Sequence, residues 1–410
     1  MEAGGASRRG ETAFLSAIGI GQICSWGTLY YAFPLIATAI ERDMGWSRTA
    51  IYGAATAGLL LAAAASYPIG RAIDRGQGRL VMAGGSVLAG LMFMTWSQVN
   101  DLVGLYAVVG MLGALQAATL YEAAFAVVTR RVGAMRARGA ITAVTLWGGF
   151  ASTVFIPIVQ PMIDAWGWRG ALLAIGAVNV VLCAGLYAWA IRPSHDAAVA
   201  PAKAGGVKAQ LGGVMRSPVL WLLVLSFTMH AAVFSAFTFH LYPLLLERGY
   251  GVEAIVLAMA LIGPAQVGGR VAITMVARKA SISAIGVAAV IGFPAAILAL
   301  IVLPASLPAL LGLIVVYSLA NGILTIVRGA AVPEMLTREN YGAVMGLIGT
   351  PMTVARALAP VGAAALWSVG SAYDPVVALM MAGSLVLAGA FWAAALLARR
   401  RAAHVERPAA

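Results

Sequence analysis

The chain has 410 residues, of which 61% are hydrophobic and only 10% are charged, and its mean hydropathy is +0.91. A soluble domain is about half apolar and about a quarter charged. The composition therefore excludes a water-soluble enzyme, a disordered tail and a nucleic-acid-binding protein, and it predicts a polytopic membrane protein.

Apolar stretches long enough to cross a membrane follow one another along the chain. A helix needs about 20 apolar residues to cross the hydrocarbon core, and charges, prolines and glycine clusters divide the sequence into twelve such stretches. We expect an all-α membrane protein whose first span is too long to be a cleaved signal peptide. The predicted spans are 13–40, 49–70, 80–98, 102–128, 140–163, 169–191, 218–246, 253–277, 282–303, 307–332, 342–369 and 375–398.

The basic residues are distributed unevenly along the chain, whose net charge is +12. With both termini in the cytoplasm, 20 of the 27 Lys and Arg residues fall in cytoplasmic segments, four fall outside and three lie within spans. This bias follows the positive-inside rule. We therefore expect a protein of the plasma membrane (the bacterial inner membrane) with cytoplasmic termini, and the positive charge requires no nucleic-acid partner.

The longest polar stretch, residues 192–217, is rich in Ala, Gly, Pro and Lys and separates six spans from six. It predicts a cytoplasmic linker between an N-terminal bundle, 1–191, and a C-terminal bundle, 218–410. Short matches recur in order in the two halves. The first and seventh spans end in Tyr-Ala-Phe-Pro-Leu and His-Leu-Tyr-Pro-Leu, 209 residues apart, and Pro157 and Pro360 are 203 apart. Such matches are typical of two pseudo-symmetric repeats.

A short charged loop, residues 70–79, lies between the second and third spans and reads Gly-Arg-Ala-Ile-Asp-Arg-Gly-Gln-Gly-Arg. It resembles the loop signature of the major facilitator superfamily, in which a Gly, then Asp-Arg, then Gly and a basic residue stand at this place in a twelve-helix chain. The resemblance implies the major facilitator fold. The matching positions are Gly70, Asp74, Arg75 and Arg79.

The loop departs from the family pattern at Gln77, where a glycine is expected, and glycines stand instead at positions 76 and 78. In the family, the Asp and Arg make charge and helix-end contacts that hold one conformation, and the resemblance implies this role for Asp74 and Arg75. Charges near helix ends are favourable by about 0.3 to 1 kcal/mol. The alternative is that the loop is only a positive-inside anchor.

Other local features resemble the monocarboxylate and oxalate/formate porter branch of this superfamily. They are Gly45-Trp46-Ser47 before the second span, Gly167-Trp168-Arg169 before the sixth, the aromatic end of the first span and an Arg in the eighth. The branch often carries Asp-x-x-x-Arg in the eighth helix, whereas this chain has Gln266 and Arg270, so the acidic partner is missing. Oxalate porters carry a basic residue in the eleventh helix, where this chain has Arg356.

Apart from Arg169 and Glu253, which are the first residues of their spans, four charged residues lie inside the predicted spans: Glu122, Arg270, Arg328 and Arg356. A charge at the bilayer centre costs roughly 2.5 to 3.5 kcal/mol on insertion scales. These side chains must therefore face a water-filled cavity, one another or a ligand. Ionisable residues inside a membrane are functional-site candidates by default.

Arg270 follows Gln266 by four residues, so both lie on one helical stripe. In the superfamily, helices 8 and 11 line the interface between the halves, so the guanidiniums of Arg270 and Arg356 are candidates to hold a carboxylate through paired N–H donors. The alternative is a structural Arg bonded to backbone carbonyls near Pro360. Arg328 lies near the cytoplasmic end of its span and is expected to snorkel or to act as a gate.

Glu122 is the acidic residue within the spans, and we expect Thr119 and Phe125, three residues to either side, to lie on the same face of the fourth helix. It is a candidate proton-coupling carboxyl, with a helix-locking ion pair as the alternative. His240 lies near Pro243 and is a second candidate for proton relay or gating, although a buried, hydrogen-bonded histidine is commoner.

Further candidate substrate-binding residues are Trp26, Tyr30, Tyr31 and Asn321, as aromatic and polar lining. Cys24 and Cys183 lie in different spans and show neither a disulfide framework nor metal-ligand spacing. No Walker loop, zinc motif or nucleophile triad appears in the sequence. We therefore expect no enzyme, no cofactor and no metal site.

Together these features predict a secondary active transporter of a small, monocarboxylate-like organic anion. It would work by alternating access in the lipid bilayer, with proton coupling or exchange, and a monomer would suffice. One alternative keeps the fold and exports a neutral or cationic toxicant, such as arsenite or a drug. Another is a non-transporting membrane sensor.

Overall fold

The computed structural model describes residues 2–192, 214–276, 280–336 and 341–405. Most of the predicted linker, residues 193–213, lies outside these ranges. Within them the chain forms helices, turns and short loops, and no strand occurs. The chain divides into two compact units, Met1–Pro201 and Ala202–Ala410, and the division falls inside the predicted linker 192–217.

The N-terminal unit contains six membrane-length helices, several of which are built from more than one helical segment. The bounds are α1 Glu2–Trp26, π-helical Gly27–Tyr31 and Phe33–Met44; α2 Arg48–Ala72; α3 Gly78–Trp96; α4 Leu102–Thr119 and Tyr121–Val132; α5 Ala134–Gly148 and the part of Ala151–Ala177 that precedes Gly167; and α6 the part after Gly167, π-helical Val178–Cys183 and Ala184–Ala190.

The C-terminal unit contains the corresponding six helices. Ser281 caps the first turn of α9, because its Oγ accepts a hydrogen bond from Ala284 N at 3.2 Å. The bounds are α7 Pro218–Glu247; α8 Val252–Val276; α9 Ile282–Ala289 and Gly292–Val302; α10 Leu307–Met335; α11 Tyr341–Gly370; and α12 Asp374–Val405.

Among the described residues, eleven helical stretches are long and apolar enough to cross a membrane. One of them, Gly139–Ala190, has 52 residues and as a straight helix would measure about 78 Å, whereas the hydrocarbon core is about 30 Å thick. Gly167 breaks it with φ +65° and ψ 173°, a conformation that favours glycine. This stretch accounts for two spans, α5 and α6, and the prediction of a twelve-helix, all-α membrane fold is confirmed.

Each unit contains a close helix crossing with one glycine on each of the two helices. In the N-terminal unit, a Cβ on Gly113 of α4 would collide with the backbone of Gly58 on α2. In the C-terminal unit, a Cβ on Gly322 of α10 would collide with the backbone of Gln266 on α8, and one on Gly269 would lie 2.6 Å from the Leu319 carbonyl oxygen. Small residues allow this approach where lipid provides no hydrophobic drive for helix association.

A carboxylate at the end of the first helix of each unit accepts a hydrogen bond from an indole. Trp168 Nε1 donates to Asp43 Oδ2 at 2.8 Å, and Trp367 Nε1 donates to Glu247 Oε2 at 2.8 Å. Both tryptophans lie at the junction between the last two helices of their unit. These contacts recur at sequence offsets of about 200 residues, which supports an internal repeat.

Candidate functional site

Arg356 lies in the middle of α11, four residues before Pro360. Proline has no N–H, so it leaves the carbonyl of the residue four positions earlier without its helical partner. Ser235 Oγ of α7 donates to that Arg356 carbonyl at 2.8 Å, which anchors the backbone. The Nε of the half-buried guanidinium is buried and makes no hydrogen bond with any described residue.

His230 of α7 and Asn321 of α10 form a buried pair. His230 Nε2 is 2.9 Å from Asn321 Oδ1, and the two residues are 7% and 5% exposed. Phe293 packs edge-on against the imidazole with ring centroids 5.2 Å apart. Arg328 and Arg356 lie near enough to act on His230 electrostatically. His230, which the sequence pattern did not select, thus pairs with the predicted residue Asn321.

Gln266 and Arg270 lie one turn apart on α8. Gln266 is buried and Arg270 is half-buried. The glycine crossing places the backbone of Gln266 against Gly322, whose neighbour in the chain is Asn321. The packing of α8 on α10 therefore brings two predicted polar residues of the C-terminal unit to the same crossing.

The aromatic candidates lie in the N-terminal unit, where α1 changes to a π-helix. Tyr30 is buried, and Trp26 and Tyr31 are half-buried. The Trp26 ring is 5.4 Å from Tyr30 and 4.8 Å from Tyr121 of α4, and its buried indole N–H makes no hydrogen bond with the described residues. Tyr121, which was absent from the predicted set, stacks on Phe125 at 5.0 Å and extends the cluster along α4.

Glu122 lies one residue after Tyr121, in the first turn of the second α4 segment. Its side chain is exposed, and no described residue forms an ion pair or hydrogen bond with it. The expectation that Thr119 shares its helix face is wrong, because Leu120 interrupts the helix with φ −90° and ψ −162°. Thr119 is instead fully buried and donates to Leu115 O at 2.9 Å.

His240 is fully buried in α7, and both of its ring nitrogens have partners. Nδ1 is 2.7 Å from the Tyr373 hydroxyl, and Nε2 donates to the Pro360 carbonyl at 2.8 Å. These bonds join α7 to α11 and to the start of α12. The geometry therefore favours the alternative of a structural histidine over a proton relay.

The charged loop turns at Gly76, which has φ +86° and ψ 8°. Gly78 is helical and lies so close to Val127 that a Cβ would approach its side chain to 2.7 Å. Gly76 therefore makes the turn, and Gly78 allows the loop to pack on Val127 of α4. Arg75 and Arg79 are exposed and Gly70 is half-buried, while the side chain of Asp74 lies outside the described part of the structure.

A neutral polar cluster between α1 and α6 was not predicted. The fully buried Gln22 donates through Nε2 to the Tyr187 hydroxyl at 3.0 Å and to the Thr119 carbonyl at 2.7 Å. Asn179 Nδ2 donates to Thr28 Oγ1 at 3.1 Å. The signal in the sequence was a stripe of polar residues, spaced by three on α1 and by four on α6, within otherwise apolar spans.

The sequence profile of the Major Facilitator Superfamily matches residues 18–304. The chain belongs to this superfamily. Solved structures with a similar fold include the nucleoside transporter NupG, which superimposes with a TM-score of 0.73 at 12% sequence identity. The alignment covers 94% of this chain and 98% of NupG. A bacterial homolog of the human lysosomal transporter Spinster has TM-score 0.64, 16% identity and coverage of 95% and 96%. At these identities the likeness concerns the fold alone.

Curated relatives point to one branch of the superfamily. The chain is 29% identical over 247 residues to monocarboxylate transporter 11 of Homo sapiens. The aligned region covers 58% of this chain and 50% of the relative. It is 28% identical over 208 residues to monocarboxylate transporter 13 of Rattus norvegicus, covering 49% and 44%. The match spans about half the length of these relatives. This superfamily member is a multi-pass membrane protein, and its sequence resemblance to the monocarboxylate branch is confirmed.

Proposed function

We propose that this chain is a secondary active transporter of a small, monocarboxylate-like organic anion. It works by alternating access in the bacterial inner membrane, with both termini in the cytoplasm, and is driven by proton coupling or by exchange. Membership of the superfamily and similarity to proteins named monocarboxylate transporters support this proposal. Gly70, Asp74, Arg75 and Arg79 belong to the charged loop, in which Asp74 and Arg75 stabilise one conformation.

The observation that carries the proposal is the chemistry of Arg356. A guanidinium held in a span costs roughly 2.5 to 3.5 kcal/mol, and its buried Nε has no hydrogen-bond acceptor among the described residues. A carboxylate supplies the missing acceptor and the opposite charge through a bidentate, charge-assisted pair. Gln266, Asn321 and Arg270 provide further donors in the same unit.

The N-terminal unit supplies the proposed apolar contacts and the proton site. Trp26, Tyr30 and Tyr31 present aromatic surface suited to the apolar part of an organic acid. Glu122 is an exposed carboxyl at the middle of a span with no ion-pair partner among the described residues, so it is available to bind and release a proton. A single charge moved across 100 mV provides about 2.3 kcal/mol, which is enough to drive accumulation without ATP.

Charge separates this proposal from the export of a cationic toxicant. The span cations Arg270, Arg328 and Arg356 all belong to the C-terminal unit, and a cationic ligand beside them would meet like charges. Like-charge juxtaposition costs several kcal/mol. An anion is therefore the favoured cargo.

Uptake by the purified protein in proteoliposomes tests the proposal. A panel of radiolabelled carboxylates of two to six carbons is presented with and without an inward proton gradient, beside an arsenite and a cationic-dye control. We expect saturable carboxylate uptake, and Arg356→Ala raises KM about 100-fold, because losing one partner of a buried charge pair costs about 2 to 5 kcal/mol.

The matched control is Thr153→Ala, since Thr153 lies four residues before Pro157 on α5, as Arg356 lies before Pro360 on α11. This variant should keep wild-type KM. Saturable transport of the dye or arsenite with no transport of any carboxylate would contradict the proposal, as would an Arg356→Ala protein with unchanged carboxylate KM.

A further inference from the structure

The only two cysteines of the chain, 159 positions apart in sequence, are neighbours in the N-terminal unit. Cys24 lies on α1 and Cys183 on α6, and they are 5% and 0% exposed. The Cys183 thiol interacts with the Cys24 thiol and with the Ser25 side chain. The sequence places these cysteines in different spans, and helix packing brings them together.

Hydrogen bonds hold the two helices on both sides of the thiols. On one side, the Tyr187 hydroxyl is 3.0 Å from Gln22 Nε2 and 3.0 Å from Ser25 Oγ. On the other, Asn179 pairs with Thr28. Cys183 is four residues from both Asn179 and Tyr187, so all three share one face of α6. The thiol pair is thus fixed between two bonded contacts.

Both helices leave ordinary α-helical geometry at this place. Cys183 ends the π-helical segment Val178–Cys183, and Cys24 lies three residues before the π-helical segment Gly27–Tyr31. Such segments occur frequently at functional sites. In addition, the fully buried Gln22 Oε1 accepts no hydrogen bond from the described residues. Buried polar atoms without partners are rare in folded proteins. The cluster therefore contains one hydrogen-bond acceptor, Gln22 Oε1, to which no described residue donates.

The surroundings of the thiols are neutral, and this restricts the ligand. The contacts described for Cys24 and Cys183 are with each other, Ser25 and Tyr187, and none of these carries a fixed charge. An isolated charge buried in such surroundings is costly. A complex that ends with no net charge is therefore favoured, which requires a divalent cation for two thiolates.

The number of ligands also restricts the cation. Within the described ranges, no group of three or more His, Cys, Asp or Glu residues is arranged to hold a metal. Zinc takes four ligands in structural sites, so two thiols do not suffice for it. Soft cations prefer thiolate sulfur, and mercuric ion is stable with two thiolates in a linear arrangement.

We propose that Cys24 and Cys183 form a binding site for one soft, thiophilic divalent cation with linear, two-thiolate coordination. Binding forms two metal–sulfur bonds and breaks two S–H bonds, and the two protons pass to solvent, so the complex is neutral. No electron is transferred. The bound ion joins α1 to α6 within the N-terminal unit, and the site is independent of the proposed anion transport.

The experiment titrates the purified full-length chain with HgCl₂ against a monothiol competitor, 2-mercaptoethanol. Native mass spectrometry counts bound mercury, and maleimide labelling counts remaining thiols. We expect one mercury per chain with both thiols protected. Cys24→Ser and Cys183→Ser should each weaken binding about 100-fold or more, because a second, linked ligand raises affinity by about 10² to 10⁴.

Thr38→Ala is the matched control, since Thr38 is a buried hydroxyl of the same unit that lies 14 residues, or about 21 Å, along α1 from Cys24, and it should bind mercury as the wild type does. Size-exclusion profiles and thermal unfolding establish that each variant is folded, with Cys24→Ala and Cys183→Ala as second variants. Two mercury ions per chain, undiminished affinity in a folded single-cysteine variant, or binding only after denaturation would each overturn the proposal.

Discussion

The two units of this chain share a scaffold and differ in the chemistry of their interiors. The glycine crossing and the indole-to-carboxylate bond occur in both, as Gly58 with Gly113 and Trp168 with Asp43 in one, and as Gly322 with Gln266 and Trp367 with Glu247 in the other. These contacts bring backbones and helix ends together, and no ligand is needed to explain them. Repetition in both units therefore marks residues that build the fold.

The interiors differ in charge. In the N-terminal unit, α1 and α6 share a neutral network around Gln22 and Tyr187, and the span charge is the carboxylate of Glu122. In the C-terminal unit, His230 and Asn321 lie near the cations Arg328 and Arg356. A feature found in one unit only is not required by the shared scaffold. We therefore expect substrate recognition to depend on the residues that differ between the two interiors.

The largest expected effect concerns the shared scaffold. Gly113→Leu and Gly322→Leu should each destabilise their unit by more than about 3 kcal/mol, because overpacking against backbone cannot be relieved by side-chain movement. Thermal unfolding and the monodisperse yield in detergent measure this. Gly185→Ala and Gly312→Ala, where a Cβ meets nothing within 4 Å, are the controls. If one unit tolerated leucine, the crossings would not be equivalent.

The second prediction tests the difference between the interiors. Arg270→Ala should lower carboxylate transport efficiency about 100-fold, as expected for losing a charge-assisted contact of about 2 to 5 kcal/mol, while the protein stays folded. Leu59 follows Gly58 as Arg270 follows Gly269, so Leu59→Ala is its counterpart in the N-terminal unit and should leave KM unchanged. Full-rate transport by Arg270→Ala in proteoliposomes would remove this residue from the site.

The third prediction separates proton coupling from binding. Glu122→Gln should abolish accumulation driven by a proton gradient but preserve exchange of labelled for unlabelled substrate, because the amide cannot carry the proton. Counterflow and gradient-driven uptake are compared in the same vesicles. Glu41→Gln is the control, since Glu41 pairs with Arg48 at 3.0 Å outside the proposed site. Unchanged gradient-driven accumulation by Glu122→Gln would refute the coupling role.

The smallest expected effect concerns the matched indole bonds. Trp168→Phe and Trp367→Phe should each destabilise the protein by about 1.5 kcal/mol, the lower end of the usual range for a hydrogen bond to a charged group, and by similar amounts. Thermal unfolding of the two variants gives the values. A large effect in one unit alone would mean that the repeat does not extend to this contact.

Several features could be predicted from the sequence alone. The spans, the two repeats and the charged residues within the membrane follow from local composition, because a stretch of about 20 apolar residues crosses a bilayer whatever its neighbours are. The family resemblance depended on contiguous motifs such as residues 70–79. Arg270 and Arg356 were found because a charge in an apolar span is rare and costly.

Only the tertiary structure decided which distant residues meet. The break at Leu120, the His230–Asn321 pair and the two partners of His240 depend on how each helix is rotated and how deeply it is inserted. The same holds for Cys24 and Cys183. Apolar patterning constrains rotation weakly in this chain, because the spans are hydrophobic on all sides and lipid is as apolar as the protein interior. Close backbone packing and buried hydrogen bonds then select the register of the helices.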